Sequence, residues 1–366
     1  MIPIRLESFT YLVLETVAEP SEHACLKAGF YLSLLPMSAS KVTVLMTVYN
    51  GMPYLTKSVE SVLGQSLIDF EFVIVDDGST DGTADYLASL DDDRVKVISQ
   101  ENGGTADAAN HGLQHVTTEF VARMDADDIS MSNRLELQLD YMLANPEVGI
   151  LGSQVAPAGE QSIGKSLNLP ESHKDIFDAL MSGHHGLAHS SLMIRTKTLK
   201  EVGGYWKFPL IDDWDMMLRM GEVSKLANLS NIMLLYRVHS GSLNGQSMLR
   251  MYQSIGYAIE RAKRRQSDRE QISYEEFLKF KDSQAMWVRL PEKLHVVAMT
   301  QYRLAVAEIF SGRKLKGYSR LALSSVLSPS RTLHRLGRIA RGRPRSLEGS
   351  AGTAGTEIDS NVASHA

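Results

Sequence analysis

An α/β architecture with a mostly parallel central sheet, followed by a helical C-terminal extension, is the fold class this sequence predicts. Apolar, β-branched runs alternate with helical patterns four times within about one hundred residues, as βαβ units do. Two acidic runs, Asp76-Asp77-Gly78-Ser79-Thr80-Asp81-Gly82 and Asp125-Ala126-Asp127-Asp128, each end an apolar run. From Met248 onward the apolar spacing turns helical, through Tyr252, Ile255 and Ile259 and later Leu304, Ala307 and Ile309.

Taken in order, Val42 to Val48 is a continuous apolar stretch and reads as a buried strand of parallel type. Pro53 suits the opening of a helix whose apolar positions are Leu55, Val59, Val62 and Leu63. Phe70 to Val75 is the second strand. Behind it Ser79, Thr80 and Asp81 offer side-chain oxygens to cap a helix carrying Tyr86, Leu87 and Leu90. Val95 to Ile98 makes a short third strand, and Gly103-Gly104 breaks the chain before a helix reaching Val116. Phe120 to Met124 is the fourth strand, and Ser132 is expected to cap a helix ending near Pro146. The next segment is less regular: Val148 to Gln154 and Ser191 to Ile194 are apolar, separated by loops rich in Gly and Ser. Tyr236-Arg237-Val238-His239 ends a further strand.

Composition narrows the classes. A net charge of −5 names no partner and gives no reason to expect nucleic acid. Cys25 is the only cysteine, which excludes an internal disulfide and fits a reducing, cytoplasmic setting. No apolar stretch approaches the ~18 residues of a membrane span. The chain divides into residues 1–40, read as an appendage not native to the fold, an α/β catalytic domain over 41–245, helices over 246–330, and a tail over 331–366. That tail begins with six arginines and no acid in 331–345, then turns rich in Gly, Ser, Ala and Thr, a composition of disorder. The arginine stretch reads equally as a solvated tail or as a contact with an anionic membrane surface at the cytoplasmic face.

In an open α/β sheet the carboxyl ends of the strands face the ligand crevice. Asp125 and Asp127 lie two apart on an extended chain, so both carboxylates point to one side. Hard oxygens so placed suit Mg²⁺ or Mn²⁺, with water and substrate phosphates completing the shell. A solvated acidic turn is the blander reading of the same residues. Asp77, at the second strand end, has the geometry to accept from a nucleobase imide N–H, while Gly78 lets the backbone turn. Asp212-Asp213-Trp214-Asp215 opens a helical segment. Because positions i and i+2 diverge on a helix, Asp213 and Asp215 cannot share a face, and one of them is free for chemistry. Trp214 is a candidate flat wall for an acceptor sugar. His239 is a candidate metal or phosphate ligand.

These motifs, in this order, resemble the inverting glycosyltransferases of family 2, whose domain is a Rossmann-like glycosyltransferase A-type fold. The resemblance rests on Val44-Leu45-Met46-Thr47-Val48-Tyr49-Asn50, Ser58 to Ser66, Val75 to Asp81, Glu101-Asn102-Gly103-Gly104, Met124 to Asp128, Val202-Gly203-Gly204-Tyr205 and Asp212 to Asp215. It implies a nucleoside-diphosphate sugar donor, a UDP-sugar above all, and a glycan or lipid-linked acceptor of the kind used in bacterial cell-surface polysaccharide synthesis. It also implies that Thr47 and Tyr49 line the base pocket, that Asp77 binds the base, and that Asp125 meets the ribose and donor. Asp127 would hold the metal, Asp213 would be the general base, and His239 matches a Tyr-Arg-x-His element. Two departures stand out. Asp212 occupies a place where the family often has Glu, and Ala108-Ala109-Asn110 lacks a usual arginine, leaving Arg123 or Arg134 as candidate replacements at the diphosphate. A nucleotidyltransferase and a non-catalytic nucleotide-sugar-binding protein remain as other readings. A dinucleotide-dependent oxidoreductase is disfavoured, because no GxGxxG follows the first strand.

Overall fold

The computed structural model describes residues 40–159, 163–207, 211–237, 245–310 and 312–329. Its first half is the expected alternation: β1 (Val42–Val48), α1 (Leu55–Leu63), β2 (Glu71–Asp76), α2 (Thr83–Ala88), β3 (Val95–Ser99), α3 (Thr105–Gln114), β4 (Phe120–Asp125), the two-residue β5 (Ile129–Ser130) and α4 (Arg134–Ala144). Strands β3, β2, β1 and β4 lie side by side and all parallel. Side-chain alternation divides their apolar residues between two faces. Leu45, Val73, Val75 and Val121 pack under α3, against Ala108, Ala109 and Leu113. Val44, Met46, Phe72 and Ile74 pack on the other face against Leu55, Val59 and Val62 of α1 and Leu135 of α4. This two-sided burial is why β1 carries no polar alternation. Gly112 permits the close approach of α3, since a Cβ there would lie 2.3 Å from Leu45 Cδ1.

The second half departs from the simple pattern. It continues with β6 (Val148–Ala158), α5 (His173–Met181), β7 (Met193–Arg195), α6 (Thr196–Glu201), α7 (Asp212–Val223) and β8 (Lys225–Arg237). The full order is β3-β2-β1-β4-β7-β6-β8-β5. Short β7 runs antiparallel between β4 and β6, while β8 runs parallel to β6 with register shifts around Ser153–Val155. The outcome is a sheet parallel on one side and mixed on the other. Two expected caps differ in detail. Asn133 rather than Ser132 precedes α4, and makes no side-chain cap bond. Ahead of α2 the N-cap is Gly82, with Asp81 Oδ1 accepting from the Thr83 N–H.

Four helices follow: α8 (Gly245–Gln266), α9 (Tyr274–Ser283), α10 (Met286–Phe310) and α11 (Lys314–Leu327). Ile255, Ala258 and Ala262 of α8 join the core beneath α7. Arg265 clamps the pair by a bidentate bond to Glu222 (2.8 and 2.9 Å). A Ser273–Glu276 capping box starts α9. Among the described residues no helix is long and apolar enough to cross a membrane.

Candidate active site

The carboxyl ends of β1, β2 and β4 form one rim, because these strands are parallel and in register: Thr47 sits opposite both Val75 and Asp125. The loops leaving β1 and β2 are stitched together. Asn50 N–H donates to Ser79 Oγ, Met52 N–H to Asp81 Oδ2, and Thr80 N–H to Asn50 Oδ1. Asp77 is 3% exposed, and its carboxylate accepts from Gln100 Nε2 (2.7 Å), Gly103 N–H (2.8 Å) and Gly104 N–H (2.9 Å). Of a carboxylate's roughly four acceptor positions, one on Oδ2 remains after these bonds. Gly78 is required at this crossing. Its φ is +78°, and a Cβ would lie 3.0 Å from Asn102 N. Thr47 is half-buried and Tyr49 is exposed beside this loop pair.

Asp125 ends β4 with its side chain 41% exposed, above the buried guanidinium of Arg123 at 3.6 Å. Because β7 is antiparallel, the chain entering it arrives at the same rim. The 3-10 turn His189–Ser191 thus sets Ser190 Oγ against the Asp125 N–H (3.0 Å) and His189 Nδ1 4.0 Å from the carboxylate. His189 Nε2 meets Tyr205 Oη at 3.1 Å, and the Tyr205 backbone is held from both sides by Asn110. The end of β8 reaches the rim too. Arg237 donates from its backbone to Asp128 Oδ1 and from Nε to the Asp127 carbonyl. Asp212 and Asp213 complete the group from the first turn of α7.

Crowding governs the electrostatics. Burial, then Asp212 and Asp125, pushes the Asp213 carboxyl up to about 7. Although part of the Asp125 side chain meets solvent, the protein packed around its carboxyl raises it to about 6 against the pull of Arg123, with Asp127 and Asp212 adding to the rise. Asp128, buried beside Asp127 and Asp125, is held well above the carboxylate range. Burial and Arg123 push His189 far down, so its ring is uncharged at neutral pH and its contact with Asp125 is dipolar. One rim thus holds more carboxylates than its cations neutralise. Added positive charge, from a divalent ion, would relieve that repulsion. The donor chemistry fits Mg²⁺ or Mn²⁺, which take hard carboxylate oxygens and complete their shells with water or phosphate oxygens. Among the described residues no three His, Cys, Asp or Glu side chains form a ready-made cage. An ion held by one or two carboxylates plus substrate phosphates needs none.

The structure thus brings Thr47, Asp125, Asp127 and Asp213 to one rim, with Tyr49 and Asp77 beside them; His239 lies outside the described residues. Trp214 requires a correction as the acceptor wall. It is 2% exposed, packs edge-on against His185 and donates to the Leu180 carbonyl, so it belongs to the core. Arg134 requires another. It is buried and donates to Arg123 O, Leu192 O and Gln138 Oε1, so it cannot serve a diphosphate. The divergence within Asp213-Trp214-Asp215 resolves clearly: Asp215 is fully buried against Arg219 (2.6 Å) and Arg265 (3.6 Å), leaving Asp213 at the rim. Sequence reasoning gave His189 no role and read Arg237 only as part of the Tyr-Arg-x-His element, without a contact of its own. His189 has no local signal, since an antiparallel insertion brings it in, while a parallel crossover delivers Arg237 to Asp127 and Asp128.

Comparison with known proteins places this rim in context. The model of the family described as Glycosyl transferase family 2 matches residues 43–203. EpsE of Bacillus subtilis, named as a glycosyltransferase, is 31% identical over 192 residues, covering 50% of this chain and 68% of its own. The O-antigen biosynthesis glycosyltransferase WbnJ of Escherichia coli is 29% identical over 226 residues, covering 60% of this chain and 87% of its own. The crystal structure of S. aureus TarS 1-349 in complex with UDP-GlcNAc superposes with a TM-score of 0.50 at 15% identity, over 80% of this chain and 92% of that one. That last likeness is one of fold.

Proposed function

Because this chain belongs to glycosyltransferase family 2, we propose that its acidic rim transfers a sugar from a nucleoside-diphosphate donor to an acceptor hydroxyl with inversion. The observation that carries the reading is the placement of Asp213, which the first turn of α7 brings beside Asp125 at the end of β4, where burial and its acidic neighbours lift its carboxyl to about 7. A general base works best with a pKa near the operating pH. Asp213 takes the proton of the acceptor hydroxyl while its oxygen bonds to the anomeric carbon. The bond from that carbon to the diphosphate breaks in the same step, and one displacement inverts the configuration. Asp125 orients the donor, and Thr47 and Tyr49 border the base. A divalent cation held by Asp127, with His239 as the other implied ligand, would neutralise charge on the departing diphosphate. By analogy with what WbnJ is named for, the acceptor is a growing cell-surface glycan, lipid-linked and met at the cytoplasmic face.

Titration calorimetry with UDP and GDP, with and without Mn²⁺, tests the donor half. Metal-dependent UDP binding that disappears in Asp127→Ala is the expected result. Tight GDP binding in place of UDP changes the donor but not the class. No nucleotide binding under any condition overturns the reading.

A further inference from the structure

The carboxylate of Asp77 is the inner end of a hydrogen-bonded chain that runs back from the rim to α3. Asp77 Oδ1 accepts from Gln100 Nε2 (2.7 Å), and Gln100 Oε1 meets His111 Nδ1, also at 2.7 Å. Local structure places each member. Gln100 follows β3, where its backbone N–H extends the ladder to Asp76 O (3.0 Å) and sets it beside Asp77. His111 lies on α3 next to Gly112, whose missing side chain lets the helix press onto Leu45 of β1 and Val75 of β2. The His115 ring, 5.6 Å away, backs the His111 ring from one turn further along the helix.

The direction of each bond follows from the first. A carboxylate only accepts, so the Gln100 group at Asp77 is the amide nitrogen. Gln100 therefore turns its carbonyl to His111, and His111 carries a proton on Nδ1 to donate. Were the amide reversed, two acceptors would face each other at Asp77 and two donors at His111. His111 thus fixes Gln100, and Gln100 fills a position on Asp77 that a ligand would otherwise use. With Gly103 N–H also on Oδ1, that oxygen is complete. Oδ2 holds Gly104 N–H and keeps one position, and an exposure of 3% fits one further partner rather than two.

Bases differ in how they meet a single acceptor. Uracil and thymine present one imide N–H between two carbonyls. Guanine presents two donors side by side, N1–H and the N2 amino group, which a carboxylate receives on both oxygens. At Asp77 the second guanine donor finds Oδ1 already occupied. We propose that Gln100 and His111 are specificity-determining positioning residues of the donor site. By completing Oδ1 they match Asp77 to a uracil or thymine nucleotide and set it against a guanine one. This role rests on the nucleoside-diphosphate donor proposed above, with Asp77 as its base contact.

Calorimetry of the full chain with UDP, dTDP and GDP in Mn²⁺ reads the ratio of their affinities. A ratio taken on one sample is not moved by a loss of folded protein, so it separates selectivity from stability. Wild type is expected to favour UDP or dTDP over GDP by about tenfold or more, because guanine leaves a donor unpaired beside a buried carboxylate. UDP against dTDP separates uracil from thymine. Gln100→Leu frees a position on Oδ1 and should narrow the ratio to GDP by about tenfold. His111→Leu should narrow it too, since Gln100 is then free to turn. His111→Asn should restore it, because the Asn amide nitrogen stands where Nδ1 does. Helix packing alone would rank these two variants the other way, Leu being the better helix former. GDP binding as tightly as UDP and dTDP in wild type overturns the proposal and leaves the donor reading standing. So does a ratio that neither Gln100→Leu nor His111→Leu changes. No nucleotide binding at all overturns the donor reading and this role with it.

Discussion

Replacing Asp213 with Asn should inactivate this enzyme and stabilise it in the same stroke. Burial and the neighbouring carboxylates lift Asp213 from 3.8 to about 7, while in the unfolded chain an Asp titrates near ~3.9. The folded state therefore holds the proton more tightly, and stability falls as pH rises between these two values. The loss is absent below about pH 4 and complete above about pH 7. Its ceiling is about 3 pH units at 1.36 kcal/mol each, or about 4 kcal/mol. Because the carboxylate is partly solvated, roughly 1–2 kcal/mol is expected in practice. Asn removes the charge, so in chelator at pH 8 melting should rise by about 2–8 °C, and the gain should vanish near pH 4. Turnover should meanwhile fall by about 10²–10⁴, equivalent to about 3–5 kcal/mol of barrier. Differential scanning calorimetry at the two pH values, beside a nucleotide-release assay, reads both effects. A variant that loses stability at pH 8, or one that keeps activity within a few-fold, would refute the reasoning.

Three further substitutions probe the frame. Trp214→Ala removes a buried indole and should cost about 3–5 kcal/mol in denaturant unfolding; an acceptor wall would instead raise acceptor KM at constant stability. Asp215→Ala leaves Arg219 and Arg265 without their buried counter-charge and should cost about 3–5 kcal/mol, whereas an exposed helix-start acid would cost almost nothing. Gly78→Ala forces a Cβ toward Asn102 N in a left-handed backbone, costing about 1–2 kcal/mol. It should also weaken UDP binding by calorimetry, since that loop shapes the Asp77 cradle; unchanged binding would detach the loop from the nucleotide site.

Local pattern alone determined the parallel half of the sheet. Strands such as Phe72-Val73-Ile74-Val75 are apolar without alternation, and in soluble chains that occurs where both faces are covered. The strand-end placement of Asp77 and Asp125 followed, because helical spacing resumes directly behind each acidic run. Tertiary structure decided the rest. Antiparallel β7 and the irregular β6–β8 pair depend on long-range pairing with little local imprint, and they alone bring His189 and Arg237 to the rim. Burial was equally invisible in one dimension: Trp214 and Asp213 are neighbours in the chain, yet one helical step of about 100° turns the indole into the core and leaves the carboxylate at the rim. The raised pKa values of Asp125 and Asp213 have the same origin. They come from carboxylates gathered from the end of β4 and the start of α7, and only the folded chain puts those charges within reach of one another.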